Sequence, residues 1–126
     1  MNILGHGVDT VDAARFAKLF ADGRDKHLRR YFTEKELSDV SSGEAIYSRL
    51  ATRFAAKEAI MKALRHGFGD GLGFTDIEIV IESDGAPFPV LHRKALELAT
   101  EIGVRKWWIS ISHSGGVAVA SAIACG

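Results

Sequence analysis

The sequence predicts a single α+β domain in which a mainly antiparallel sheet is wrapped on a long central helix. Three observations support this fold class. Strand-like and helix-like segments are mixed along the chain, one helical segment is much longer than the others, and two strand-like segments close the sequence. The 126 residues are enough for one modest hydrophobic core, and no repeat or linker interrupts them, so we treat residues 1–126 as one domain.

The composition excludes several classes of protein. Hydrophobic residues make up 47% and charged residues 25% of the chain, as in ordinary soluble domains. The formal net charge is zero, so no global attraction to nucleic acid or to an anionic membrane is expected. No apolar run approaches the length of a membrane span, and no secretory signal is visible. The single cysteine, Cys125, argues against a disulfide framework and predicts a cytoplasmic protein.

The first third of the chain alternates between strand and helix. Residues 2–8 have the pattern of a strand, and residues 12–22 have the apolar spacing of a helix. Thr33 and Glu36 fit a capping box, in which two side chains satisfy free N–H groups at the start of a helix, so a second helix begins there. A polar patch near residues 41–43 ends it.

The long central helix extends from about Glu44 to about Arg65. The alternating glycines of residues 67–73 exclude a helix after it. Residues 74–82 alternate as a strand, and the turn dipeptide Asp84-Gly85 follows. The remaining elements are a partner strand over 87–91, a helix over 92–102 that ends at Gly103, and strands over 107–112 and 117–124 joined at 113–116.

The central helix has no proper solvent face. At 100° per residue its large apolar side chains form one arc, and alanines cover most of the opposite side. Lys57 nevertheless falls inside the apolar arc, Arg53 lies at its edge, and Glu58 and Lys62 stand together at the seam. Charged side chains are almost never fully buried without partners, so this helix is expected to carry a functional site.

Asp9, which follows the first strand, could join Glu58 in holding a divalent cation. Mg²⁺ favours a few carboxylates together with water and phosphate oxygens. Each carboxylate also has a simpler interpretation, because Asp9 could cap the helix that begins near Asp12, and Glu58 could pair with Lys62 one turn later. The residues alone leave these alternatives open.

Other polar candidates have two interpretations as well. Lys57 and Lys62 could stabilise phosphate charge, or their stems could cover apolar surface while the ammonium groups reach water. The glycines of residues 67–73 could wrap a phosphate with backbone N–H groups, although a flexible connector is the default. His113 suggests acid–base chemistry only if another group supports it, because histidines at hairpin tips are usually solvated.

Taken together, these segments resemble the holo-[acyl-carrier-protein] synthase family, the small phosphopantetheinyl transferases. The most specific match is Arg53-Phe54-Ala55-Ala56-Lys57-Glu58-Ala59, followed by Lys62-Ala63-Leu64, which is similar to the family's R-F-A-x-K-E-A-x-x-K-A. Gly5-His6-Gly7-Val8-Asp9-Thr10-Val11 resembles the family's G-x-G-x-D opening. Further segments agree in order and spacing, namely Arg30–Leu37, Phe74–Ile79 and Ile111–Ser114. The chain departs from the family at Arg65-His66, where many members have Gly-Thr.

The resemblance implies the 4′-phosphopantetheinyl transferase fold and transfer of 4′-phosphopantetheine from coenzyme A to a serine of apo acyl carrier protein, with release of 3′,5′-ADP. It implies that Asp9 and Glu58 hold Mg²⁺ and that Lys62 neutralises or protonates the leaving phosphate, which makes these three the catalytic residues. The base for the serine stays open between Glu58 and a metal-bound water. The residues expected to bind coenzyme A or to shape its pocket are Arg53, Lys57, Gly67, Ser112 and His113.

The resemblance also implies a homotrimer with active sites at the subunit interfaces. The acidic carrier protein would dock near Arg15, in a stretch that is otherwise explained as a solvated helix face and that carries Arg15, Lys18, Arg24, Lys26, Arg29 and Arg30. A non-catalytic trimer that binds coenzyme A or carrier protein is the alternative, supported only by Arg65-His66. An unrelated Mg²⁺-dependent nucleotide hydrolase is a third and weaker interpretation.

Overall fold

The computed structural model describes residues 1–20, 25–40 and 45–126. Within these ranges five helices and five strands are mixed along the chain, so the predicted α+β class is confirmed. The elements in chain order are β1 (Ile3–Asp12), α1 (Ala13–Phe20), α2 (Asp25–Tyr31), α3 (Glu34–Val40), α4 (Ile46–Leu64), a 3₁₀ turn (Phe74–Asp76), β2 (Ile77–Ile81), β3 (Pro87–Leu91), α5 (Arg93–Ile102), β4 (Lys106–Ser114) and β5 (Val117–Cys125).

Two antiparallel sheets surround α4. The larger has the strand order β1-β5-β4, and the smaller pairs β2 with β3. The register of β5 against β1 sets Cys125 opposite Ile3 and Val117 opposite Asp12. Because α4 packs against β1 and β5, the larger sheet lies on the central helix as the sequence predicts.

Small residues let the larger sheet approach α4 closely. Alternate residues of β5 are alanines, from Ala118 to Ala124, and each is at most 1% exposed. On β1 the same role falls to glycine. A Cβ on Gly5 would stand 2.0 Å from the carbonyl oxygen of Ala63, and one on Gly7 would stand 2.1 Å from that of Ala59. Both distances are far inside van der Waals contact, so the backbone of β1 rests directly on the backbone of α4.

A second part of the core is aromatic. It fills the space between α1, α2, α4 and the 3₁₀ turn, where neighbouring rings lie 4.8 to 5.9 Å apart between centroids. Such tilted and offset pairs add stabilisation beyond their buried area. The rings belong to Phe16, Phe20, Tyr31, Phe54 and Phe74.

Several predicted boundaries are confirmed. The capping box begins α3, with the Thr33 N–H donating to Glu36 Oε1 over 2.9 Å and the Glu36 N–H donating to Thr33 Oγ1 over 3.2 Å. The helix α5 ends at Gly103, which has a left-handed φ of 86°. The predicted end of α3 at residues 41–43 and the start of the central helix at Glu44 lie outside the described residues.

Other boundaries differ from the prediction. The strand predicted over 2–8 continues to Asp12, because β5 offers partners along its whole length. Residues 74–76 form a 3₁₀ turn before β2 begins. The strand β4 includes His113 and ends at Ser114, so the hairpin turns at the two glycines 115 and 116, both with positive φ. The short charged helix α2 was not predicted, since few apolar residues give it a helical pattern.

No helix in the described ranges is both long and apolar enough to cross a membrane.

Candidate active site

The structure brings Asp9, Glu58 and Lys62 together where β1 crosses α4. Lys62 Nζ lies 3.2 Å from Asp9 Oδ1 and donates to the carbonyl oxygen of Val8 over 2.8 Å. Glu58 precedes Lys62 by one helical turn on α4 and is half-buried. Burial raises the pKa of Glu58, the negative charge of Asp9 raises it further, and Lys62 opposes both effects. Two carboxylates whose charges influence each other, with one lysine bound to Asp9, form a cluster that a cation would stabilise.

The glycines of β1 position this cluster. Because Gly5 and Gly7 lie against the carbonyl oxygens of Ala63 and Ala59, β1 crosses α4 without intervening side chains. Asp9 follows two residues later, beside the turn of α4 that carries Glu58 and Lys62. The Gly-x-Gly-x-Asp pattern is therefore explained by close packing of two backbones, and no phosphate-binding loop is needed to account for it.

The simpler interpretations of the two carboxylates fail. Lys62 bonds to Asp9 and Val8 and makes no ion pair with Glu58 within the described residues. Asp9 lies inside β1, and the residue that caps α1 is Asp12, whose Oδ1 accepts the Arg15 N–H over 3.0 Å. Neither carboxylate of the cluster is thus accounted for by helix capping or by an i,i+4 pair.

A cleft of about 560 Å³ opens beside the cluster between β1, α1 and α4. Asp9 and Glu58 lie at its polar end, and Arg15 lies at its rim on α1. The rest of its wall is largely apolar and includes Phe16, Leu19, Phe20, Tyr31 and Phe54. Leu19 is 71% exposed, so the cleft has an apolar edge that the described chain does not cover.

Lys57 does not face this cleft. Its side chain is fully buried, with Nζ 2.7 Å from Glu36 Oε1 and 2.9 Å from the carbonyl oxygen of Phe74. Burial lowers the pKa of Lys57, and the charge of Glu36 opposes the shift. Glu36 also accepts the N–H groups of Thr33 and Ile79, so this pair joins α4 to α3 and β2. Both interpretations of Lys57 from sequence, phosphate contact and snorkelling, give way to a buried structural ion pair.

Sequence reasoning did not identify Glu36 as the buried partner of Lys57. The sequence marks it only as the fourth residue of a capping box, and its second carboxylate oxygen and its contact with Lys57 depend on the tertiary fold. A glutamate in a capping box that precedes a helix with a lysine inside its apolar arc would have been the signal.

Arg53 is also buried, with Nη1 donating to the carbonyl oxygen of Arg49 over 3.1 Å. Burial lowers its pKa, and the neighbouring charge of Arg49 lowers it further. Its Nε is buried and has no hydrogen-bond partner in the part of the chain that the structure describes. Arg53 therefore keeps an unsatisfied donor, which is unusual for a native interior.

The remaining candidates lie apart from the cluster. Ser112 and His113 are exposed near the end of β4, and β5 separates them from Asp9 on β1. Gly67 is exposed beyond the end of α4, and its carbonyl oxygen accepts from His66 Nδ1 over 2.8 Å. Among the described residues, none of the three forms a hydrogen bond to Asp9, Glu58 or Lys62.

The cluster fits a Mg²⁺ ion better than a metal that requires a complete protein cage. The described ranges contain no group of three or more His, Cys, Asp or Glu side chains that could hold a metal, so two carboxylates are the most this site offers. The Glu58 carboxylate accepts no hydrogen bond from the described residues and thus keeps its lone pairs available. Mg²⁺ keeps several waters and takes one or two carboxylates plus phosphate oxygens, which matches this donor set.

A comparison with protein families gives the class of this protein. Residues 5–121 match the model of the 4′-phosphopantetheinyl transferase superfamily. The match covers nearly the whole chain, including all of α4 and most of β1 and β5, so the chain is an enzyme of that transferase superfamily.

Curated relatives define the family more narrowly. A holo-[acyl-carrier-protein] synthase of Geobacter sp. (strain M21) is 40% identical over 121 residues, covering 96% of this chain and 97% of the relative. That of Geotalea daltonii is 42% identical over 118 residues, covering 94% of each chain. The chain belongs to the holo-[acyl-carrier-protein] synthase family.

Solved structures agree with this fold. The holo-[acyl-carrier-protein] synthase of Neisseria meningitidis aligns with a TM-score of 0.88 at 28% identity, covering 99% of this chain and 100% of that one. That of Helicobacter pylori, solved in complex with coenzyme A, aligns with a TM-score of 0.82 at 32% identity, covering 95% and 99%. The expected phosphopantetheinyl transferase fold is confirmed.

Proposed function

We propose that this chain transfers 4′-phosphopantetheine from coenzyme A to a serine of apo acyl carrier protein, releases 3′,5′-ADP, and requires Mg²⁺. The observation that carries the proposal is the cluster of Asp9, Glu58 and Lys62 at the crossing of β1 and α4. The names of the curated relatives support the reaction, and the coenzyme A in the Helicobacter pylori structure supports the donor.

The chemistry suits these residues. The acceptor serine oxygen attacks the β-phosphorus of coenzyme A, and the bond to the bridging oxygen of 3′,5′-ADP breaks. Negative charge builds up on the phosphate oxygens, so positioning and electrostatic stabilisation supply most of the catalysis. Lys62, more than half exposed, can present its ammonium group to the leaving phosphate. Mg²⁺ held by Asp9 and Glu58 would supply further neutralisation of the diphosphate.

We propose that the carrier protein docks at Arg15 and the apolar rim beside it. Arg15 lies one helical turn before Leu19 on α1, and both line the cleft that leads to Asp9 and Glu58. A basic side chain next to an exposed apolar one suits an acidic amphipathic helix, and the cleft then leads the serine toward the cluster.

We also propose a homotrimer whose active sites lie between subunits. The outer face of the β1-β5-β4 sheet carries apolar side chains that no described element covers, among them Val8, Trp108 and Val117, which are 55%, 50% and 39% exposed. Such a face is typical of a subunit interface. Ser112 and His113 lie apart from the cluster of their own chain and would then contribute to coenzyme A binding at the site of a neighbouring subunit. For Arg53 and Gly67 we likewise propose a role in binding coenzyme A or in shaping its pocket.

A reconstituted reaction tests the proposal. Purified protein is incubated with apo acyl carrier protein, coenzyme A and Mg²⁺, and the carrier is weighed by intact-mass spectrometry. We expect a gain of one phosphopantetheine group that EDTA prevents and excess Mg²⁺ restores. Glu58→Gln should abolish the gain, whereas Glu97→Gln, an exposed position on α5, should not.

The same experiment separates the alternatives. Binding of coenzyme A without any mass gain across several carriers would favour the non-catalytic binding protein. Consumption of coenzyme A without an acceptor would favour the hydrolase. Cys125 is buried and free, which suits a reducing compartment, so a cytoplasmic location remains part of the proposal.

A further inference from the structure

The helix α1 carries the proposed docking surface on one side and its core contacts on another. Arg15 and Leu19 are exposed one turn apart, and both line the cleft that leads to the catalytic cluster. Phe16 and Phe20 are buried one turn apart on the neighbouring side, with 4.8 Å between their ring centroids. A rotation of α1 about its axis would therefore turn Arg15 and Leu19 away from the cleft.

The helix α1 is too short to hold this orientation by itself. It has eight residues, Ala13–Phe20, and measures about 12 Å along its axis. Helices of this length are marginal in water, so their stability comes from contacts with the rest of the fold. The orientation of α1 consequently depends on what holds its two ends.

The N-terminal end of α1 is held by the larger sheet. The Ala13 N–H donates to the carbonyl oxygen of Gly116 over 2.9 Å, in the turn between β4 and β5. Asp12, the last residue of β1, accepts the Arg15 N–H over 3.0 Å. These contacts determine where the helix starts, but a helix held at one end can still tilt about that end.

The C-terminal end of α1 is held by Tyr47, which lies in the first turn of α4. The Tyr47 hydroxyl donates to the carbonyl oxygen of Phe20 over 3.1 Å. Phe20 is the last residue of α1, and the final carbonyl groups of a helix have no partner within that helix, so Tyr47 satisfies one of them. The ring of Tyr47 also packs against the core cluster that includes Phe16 and Phe20.

The helix that holds α1 in this way also carries two residues of the catalytic cluster. Tyr47 precedes Glu58 by eleven residues on α4, a distance of about 16 Å along the helix axis. The bond from Tyr47 to Phe20 therefore fixes the docking helix directly against the helix that supplies Glu58 and Lys62.

We propose that Tyr47 is a positioning residue for the carrier protein, because it holds α1 at the angle at which Arg15 and Leu19 face the cleft. The inference rests on the proposed function, and in particular on docking at Arg15. An acidic carrier helix bound to α1 at this angle directs its serine toward the catalytic cluster. Tyr47 acts through the orientation of α1, so loss of its hydroxyl should weaken carrier binding and leave coenzyme A binding alone.

Steady-state kinetics of the full-length Tyr47→Phe variant tests the inference, because phenylalanine keeps the ring and removes only the hydroxyl. We expect the KM for apo acyl carrier protein to rise about five-fold, as for loss of one neutral hydrogen bond, with kcat and the KM for coenzyme A unchanged. Thr100→Val on α5 is the matched control, since the Thr100 hydroxyl donates to the Leu96 carbonyl over 2.7 Å. Its loss should change none of the three constants.

A double-variant cycle with Arg15→Ala separates positioning from a general loss of stability. If Tyr47 keeps Arg15 at the cleft, Arg15→Ala should raise the KM for carrier protein less in the Tyr47→Phe background than in the wild-type background. Equal fold-changes in the two backgrounds would show that the residues act independently and would overturn the role of Tyr47.

The outcomes also distinguish this inference from the proposed function. A wild-type KM for carrier protein in Tyr47→Phe, or an equal rise in KM for both substrates, would overturn the inference while the transfer reaction and docking at Arg15 stand. If Arg15→Ala left the KM for carrier protein unchanged, docking at α1 and the role of Tyr47 would fall together. If the wild-type protein modified no carrier, the transfer reaction would fall with them.

Discussion

Gly7 lies so close to Ala59 that a Cβ built on residue 7 would stand 2.1 Å from the carbonyl oxygen of Ala59. A second steric clash lies beside the first, because the same Cβ would stand 2.8 Å from the Cβ of Lys62. The distance between the strand carrying Asp9 and the helix carrying Glu58 is therefore set by contact between backbones, which cannot change rotamer to make room.

Gly7→Ala should destabilise the fold and open the site. The added methyl must push β1 away from α4, at a cost of about 1–3 kcal/mol, and it should weaken Mg²⁺ binding by separating Asp9 from Glu58. Urea unfolding and Mg²⁺ titration measure the two effects. Gly67→Ala is the stability control, because a Cβ there has no heavy atom within 4 Å. Equal stability of the two variants would contradict the close-packing explanation.

Lys57→Met should lose about 3–5 kcal/mol of stability, because it leaves the Glu36 carboxylate buried without its cation. The matched control is Lys35→Met, whose partner Asp39 forms an exposed pair at 3.4 Å worth under about 1 kcal/mol. The urea concentrations at the unfolding midpoints of Lys57→Met and Lys35→Met, measured at the same protein concentration, compare the two losses of stability. Adding Glu36→Gln to Lys57→Met should recover part of the loss, and a larger loss in the double variant would count against the ion pair.

Mg²⁺ affinity should decline as the pH falls through the pKa of Glu58, which lies above the ordinary glutamate value because of burial and then of Asp9. In the proposed site the metal would bind this carboxylate, so protonation would compete with it. Asp9→Asn removes a negative charge and should lower this pKa, whereas Lys62→Met removes a positive charge and should raise it. Carbon-detected NMR titration of Glu58 in the metal-free protein measures the direction in which each variant changes this pKa. If both variants moved the pKa in the same direction, the opposite effects assigned to Asp9 and Lys62 would be refuted.

Arg15→Glu should raise the KM for carrier protein about ten-fold at low salt and leave the KM for coenzyme A unchanged, because an acidic partner at the proposed docking site would meet a repulsive charge at the rim of the cleft. The effect should shrink as salt screens it. Arg105→Glu makes the same change of charge at an exposed position elsewhere and serves as the control. Equal effects on the two substrates would argue against docking at α1.

Trp108→Glu should dissociate the proposed trimer, because it introduces a charge on the outer face of the sheet, where Trp108 lies opposite Ile123. Leu96→Glu on α5 is the control, because Leu96 is 53% exposed and Trp108 is 50% exposed. This variant should leave the assembly intact. Light scattering after size-exclusion chromatography reports the mass. A wild-type monomer, or dissociation by both variants, would remove support for this interface.

Local chemistry made some elements predictable. Thr33 with Glu36, Asp84-Gly85 and Gly103 each mark a helix or strand boundary through their own backbone preferences, and the structure has boundaries at these points. Glu58 and Lys62 were predicted from charges on a helix without a solvent face, Asp9 from its place after the first strand, and their common role from resemblance to a family.

Contacts between distant segments were not predictable in the same way. Glu36 and Lys57 are 21 residues apart, and no local pattern shows that their charges meet in the core. The role of Gly5 and Gly7 is equally hidden, because glycine in a strand gives no indication of which backbone approaches it. His113 was assigned to a hairpin turn because its sequence neighbours are small and polar, whereas pairing with Ala118 keeps it in β4.

The strand order determines when the proposed metal site can exist during synthesis. Within the larger sheet β1 pairs only with β5, so residues 3–12 have no strand partner there until residues 117–125 have left the ribosome. The helix with Glu58 and Lys62 is synthesised long before that moment, and Asp9 is synthesised earlier still. The strand that carries Asp9 nevertheless completes its hydrogen bonding only when β5 pairs with β1. A nascent chain would thus hold both halves of the site without a working enzyme, and competence would be acquired in one late step.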